Sequence, residues 1–116
     1  MGGKPIIING VCVVNFPRAD IFPTIFGRRT KSSLVVNQKF SFESIDSKGR
    51  ALNLGEVVLL KNEIIPFFNS LYKSNLLVSI HNHWLSANPS LTHIHFQSIE
   101  NPIIFAYKVK KAFATL

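Results

Sequence analysis

An α+β domain, built from an antiparallel sheet with two helices on one of its faces, is the fold class that three observations predict. Stretches rich in β-branched and aromatic residues recur at Ile6–Val14, 34–45 and 51–60, and again at 76–83 and 92–98. Two segments instead repeat their apolar residues at helical spacing, one from about Asn62 to Lys73 and one from Asn101 to the C-terminus. From Glu56 onward the order is strand, helix, strand, strand, helix. That order predicts a βαββα core of ferredoxin-like character, preceded by additional strands.

The first strand covers Ile6 to Val14, with Asn9-Gly10 marking a bend or bulge within it. Pro17 ends it, because proline has no N–H to give a ladder. Residues 21–33 hold Pro23, Gly27, Arg28-Arg29 and Ser32-Ser33 and read as a long connection covering a sheet face with Phe22 and Phe26. Leu34 to Ile45 reads as the second strand, in which Phe40 and Phe42 face one way and Lys39, Ser41 and Glu43 the other. Asp46-Ser47-Lys48-Gly49-Arg50 is a turn, and Ala51 to Leu60 returns antiparallel as the third strand.

Asn62 is the expected N-cap of the next helix, with Glu63 in its first turn and Ile64, Phe67, Phe68 and Leu71 on its apolar face. The fourth strand, Leu76 to His83, turns Leu76, Val78 and Ile80 to one side and Ser79, His81 and His83 to the other. In the fifth, Thr92 to Ser98, Ile94 and Phe96 oppose His93, His95 and Gln97. Asn101-Pro102 opens the last helix. The helices are expected over Val78, Ile80, Ile94 and Phe96, which leaves the histidines on the opposite face.

With 116 residues and 47% hydrophobic content, the chain is expected to form a single domain over residues 1–116. Its formal net charge of +7 favours anionic partners, but the basic residues are scattered, so a solvated basic surface is preferred over nucleic-acid binding. The lone Cys12 excludes an internal disulfide and reads as a buried thiol. No apolar run approaches the length of a membrane span and no signal peptide is visible, so a cytoplasmic location is expected.

Chemistry is concentrated in one place. All 4 histidines lie between His81 and His95, as His81-Asn82-His83 and His93-Ile94-His95. Side chains alternate along a strand, so each pair points one way, and the Ser-Ala-Asn-Pro-Ser stretch between them reads as a hairpin loop. The expected register sets His83 opposite His93 and His81 opposite His95. A shift by two keeps three histidines adjacent, whereas a shift by one separates them.

Imidazole nitrogens are good ligands for zinc and for other divalent transition metals. The expected metal ligands are therefore His81, His83 and His95, with Glu56 or His93 completing the shell; Asp20 and Glu43 are weaker carboxylate candidates. Metal-activated water and hydrolysis would follow if the domain is an enzyme. The other readings are a polar sheet face with no ligand, and a non-enzymatic module that binds a ligand or a protein. Asn82 is read as ordering the hairpin loop behind the site, Trp84 as a packing residue, and Arg18 as either a solvated strand end or an anion-binding group above the metal.

Phe16-Pro17-Arg18-Ala19-Asp20, Gly55-Glu56, Asn62-Glu63-Ile64-Ile65-Pro66, and His81-Asn82-His83 followed by Pro89 and His95-Phe96 together resemble the LppY/LpqO family, a bacterial family of unknown function. The resemblance runs from about Gly10 to the C-terminus. It carries over Glu56, His81, His83 and His95 as site residues, but not His93, and it brings no activity. Ile80 stands where that family places a small residue. Members often look like two such halves in tandem, so the resemblance implies that a homodimer replaces the missing half.

Overall fold

The computed structural model describes residues 4–80 and 84–116. Among them it shows a mixed α+β architecture with 9 strands in two antiparallel sheets and 3 helices. The larger sheet has the order β1-β2-β5-β6-β9-β7, in which β1 is Lys4–Ile8, β2 Val11–Pro17, β5 Asn37–Glu43, β6 Ala51–Leu60, β7 Leu77–Ile80 and β9 Leu91–Glu100. The smaller sheet, β4-β3-β8, joins Arg28–Arg29, Thr24–Ile25 and Ala87–Asn88.

The first apolar stretch is two strands rather than one bent strand. Asn9 and Gly10 both adopt positive φ, 53° and 77°, the backbone of a tight hairpin turn, so the chain reverses fully and Ile8 pairs with Val11. Further along, the stretch expected to be strand from Leu34 begins at Asn37. Ser33–Val36 is a single helical turn, α1, because the Ser32 hydroxyl accepts the Leu34 N–H at its start. The turn from Asp46 to Arg50 forms as expected, with Asp46 Oδ1 accepting the N–H groups of Lys48 and Arg50.

Helix α2 runs Ile64–Lys73 and α3 Pro102–Phe113. Asn62 does not cap α2. It lies in a 3-10 turn, Lys61–Glu63, and the Glu63 carboxylate instead accepts the Leu60 N–H at 2.8 Å. The helix stops in a Schellman motif: Asn75, at φ 63°, donates to Tyr72, and Leu76 reaches back to the Leu71 carbonyl. Asn101 caps α3 through the Ile103 N–H, with Pro102 at its first position.

Both long helices lie on one face of the larger sheet. Phe67, Leu71, Phe105, Val109 and Ala112 pack there against Phe40, Val57, Leu59, Ile94 and Phe96. Phe96 needs a glycine across from it. It pairs with Gly55, where a Cβ would overlap the Phe96 ring, so the ring lies flat against the β6 backbone. Ile80, expected in this core, is 63% exposed near the end of the edge strand β7.

The opposite face is half covered. The segment from Arg18 to Val36 folds over one end of it, where Val35 and Val36 bury themselves against Val58 and Leu91, with Ile21 and Ile25 beside them. Phe22 and Phe26, expected to do the covering, are 64% and 79% exposed. Short aliphatic residues fit the shallow space over a pleated sheet, and the positive φ of Phe26 turns its ring outward at the β3–β4 reversal.

Candidate functional site

Four strands bring the site together. Lys39 on β5 lies opposite Glu56 on β6, Glu56 opposite His95 on β9, and His95 opposite Ser79 on β7, so the four form one row across the sheet. His93 is two residues along β9 from His95 and therefore shares its face, toward the covered end, opposite Val58. Glu56 reaches both imidazoles. Its Oε1 is 3.4 Å from His93 Nδ1, and its Oε2 is 3.4 Å from His95 Nε2.

These distances carry chemical information. Hydrogen bonds between nitrogen and oxygen centre near 2.9 Å, and 3.4 Å is long for one. Two donors that each bind a tetrahedral ion at about 2.0–2.1 Å stand roughly 3.3–3.4 Å apart. A carboxylate and two imidazoles are, moreover, the donor types that zinc takes in open sites. Among the described residues, no group of three His, Cys, Asp or Glu side chains is placed to hold a metal ion by itself. Glu56 therefore makes one long ion-pair contact with each imidazole, and the three side chains do not form a metal-binding group.

The strand register differs from the expected one by two. Ser79, and not His81, lies opposite His95, and Ile80 opposite Ile94. The expected register treated residues 86–90 as a simple hairpin loop. Instead Ala87 and Asn88 pair with β3, Ser86 accepts the Phe26 N–H, and Trp84 Nε1 donates to the Leu34 carbonyl at 3.0 Å. The connection is thereby drawn onto the covering segment. His81, Asn82 and His83 lie outside the described residues.

Arg18 occupies a separate place. It is 8% exposed and grips two carboxylates: Asp20 through Nε (3.1 Å) and Nη2 (2.6 Å), and Glu63 through Nη1 (2.5 Å) and Nη2 (3.2 Å). Nη1 also donates to the Val58 carbonyl at 3.2 Å. Burial alone would lower its pKa, but the hydrogen bonds and charges of Asp20 and Glu63 outweigh that and raise it. The hydrogen bonds from Arg18 in turn hold Asp20 below the usual carboxylate range. Arg18 therefore ties the start of the covering segment to β6 and to the turn before α2. Glu43, the other weaker carboxylate candidate, lies opposite Leu52, four pairs along from the row of Glu56.

Two features beside the histidines were not singled out in the sequence. Lys39 is the nearest cation in the row, and its place was readable only from the alternation of its strand. A groove of about 360 Å³ adjoins it, lined by Lys39, Ser41, Leu54, Glu56, His95 and Gln97 among others.

The model of the family described as Domain of Unknown Function (DUF1259) matches residues 1–115, and the chain belongs to that family. No curated protein and no solved structure matches. Among the described residues, no helix is long and apolar enough to cross a membrane.

Proposed function

We propose that the domain binds a divalent transition metal, zinc foremost, through Glu56, His93 and His95, with His81 and His83 contributing the remaining nitrogens. The observation that carries this reading is the Glu56 carboxylate, held 3.4 Å from each imidazole, the separation that two ligands of one tetrahedral ion adopt. The inclusion of His81 and His83 rests on sequence alternation: both are odd-numbered, as are Ser79 and His95, which share the site's face. The βαββα order around β6, α2, β7, β9 and α3 supports a ferredoxin-like core, and the quoted motifs support kinship with LppY/LpqO proteins.

A bound ion would act as a Lewis acid and lower the pKa of a coordinated water. The residues of this chain would do the rest. Glu56 spans the two imidazoles, His93 is anchored in the covered end, and Lys39 offers a positive charge beside the open side. Hydrolysis of a small substrate is the chemistry such a centre would support.

The test is elemental analysis of protein purified without an affinity tag, beside Glu56→Gln and a His81→Ala/His83→Ala double variant. About one equivalent of metal per wild-type chain, lost in variants that keep the wild-type circular dichroism, is expected. Wild-type protein that is metal-free and takes up no added zinc, copper or nickel refutes the reading. The histidine face would then be a ligand- or protein-binding surface.

A further inference from the structure

We infer that the open end of the histidine-bearing sheet face binds a medium-chain carboxylate, its head group at Lys39 beside the metal centre and its apolar chain along Leu54, Leu77, Leu52 and Ile99. This names the ligand class of the proposed centre and rests on that reading for one of its two head-group contacts.

Exposed apolar side chains occupy this end, uncovered by any of the described residues. Leu54, Leu77 and Ile99 are 38%, 70% and 69% exposed, and they share a face with Glu56 and His95. Ile99 lies opposite Leu52, while Leu54 and Leu77 flank Gln97 from either side. The surface is concave. The groove of about 360 Å³ at Glu56 and His95 runs on, through Gln97, into a second of about 520 Å³ lined by Leu52, Leu77, Ile99 and Lys108 among others. From the Glu56–His95 row to the Leu52–Ile99 row is four residues along each strand, about 13 Å. The far end is closed by a polar stop, where Lys108 Nζ meets Glu100 Oε1 at 2.6 Å.

Charge selects the ligand. Among the described residues Lys39 makes no ion pair, and it projects beside a centre that gains two positive charges when a divalent ion binds. The whole chain carries +7, which draws anions to it. A second copy of the chain fits less well. It would bring the same charge and a groove of its own in place of a ridge.

The experiment is calorimetric titration of decanoate, with decyltrimethylammonium as the cationic control, into protein whose metal content is measured on the same sample. Lys39→Ala and Leu77→Asp are the variants, both at exposed positions and both checked by circular dichroism. Decanoate is expected to bind the wild type, each variant to weaken it about tenfold or more, and the cation not to bind. Metal-loaded protein that ignores decanoate, or variants that bind it like the wild type, would overturn the assignment and leave the metal centre standing. Metal-free protein that still binds decanoate through Lys39 and Leu77 would support the groove and remove the metal reading. A dimer in sedimentation that Leu77→Asp dissociates, without decanoate binding, would assign this face to a second copy and overturn the inference.

Discussion

His93 and His95 stand two residues apart on one strand and approach the same carboxylate, yet they occupy different surroundings. His93 is 5% exposed, whereas the His95 side chain is 41% exposed. The difference lies in how far the covering segment reaches. Val35, Val36, Ile21 and Ile25 roof the sheet over Val58 and Leu91, and the roof stops before the row of Lys39, Glu56 and His95. A site at such a rim has one imidazole fixed in the protein interior and one that is partly exposed to solvent.

Arg18 holds the roof in place, so its removal should produce the largest change. Arg18→Ala leaves Glu63, whose side chain is 13% exposed, without its cation, and frees the start of the covering segment. Breaking a largely buried pair from one side typically costs about 3–5 kcal/mol. Urea unfolding should show a loss of about that size, and hydrogen exchange should speed up in residues 19–36 more than in α3. Equal loosening of both regions would show that the roof is not an independent layer.

Gly55 tests the other side of the same strand. A methyl group there meets the Phe96 ring, which is itself packed against Phe40, Phe67 and Phe105. Gly55→Ala should therefore destabilise the fold by about 1–3 kcal/mol through overpacking, and Phe96→Leu in the same chain should recover part of the loss. A neutral Gly55→Ala would mean that the ring moves freely, which would place less constraint on Glu56 beside it.

Much of this arrangement was legible in the sequence, because period-two alternation is strong where one sheet face is buried. The alternation of Phe40 and Phe42 against Lys39 and Ser41, and the third strand from Ala51 to Leu60, are seen as expected. The Asn9-Gly10 hairpin was a local signal, read as a bulge although its positive φ values make a full two-residue turn. Two further features depended on contacts distant in sequence and could not be read locally. Asn62 yields to Glu63, whose carboxylate is fixed by Arg18, 45 residues upstream. The two-residue register shift follows from Ala87 and Asn88 pairing with β3 instead of closing a local hairpin. Of the site, the Glu56 and His95 row followed from adjacent strands, while the burial of His93 needed the roof.

The two histidines should separate cleanly in mutants. His93→Ala empties a buried position and should cost about 1–3 kcal/mol, whereas His95→Ala, half exposed, should stay within about 0.5 kcal/mol. Both should lower zinc uptake if they ligate a common ion. Zinc should then stabilise the wild type in a thermal melt and leave both variants unmoved. A His95→Ala protein that still gains stability from zinc would move the centre away from Glu56.

The smallest expected effect isolates the roof's outer fastening. Asp20 is 67% exposed in its side chain, so solvent screens its pairing with Arg18, which is worth below about 1 kcal/mol. The hydrogen bonds from Arg18 lower its folded pKa beneath the ordinary 3.8. The pair's stabilisation is thus fully present above the unfolded value and is lost as pH falls through the folded one. Wild type minus Asp20→Asn, followed by urea midpoint, should hold constant from about pH 7 to pH 5 and shrink below about pH 4. Carboxylates common to both chains cancel in that difference. A difference that stayed flat from pH 7 to below pH 4 would mean that Arg18 is held by Glu63 and the Val58 carbonyl alone, and that Asp20 faces solvent as a free carboxylate.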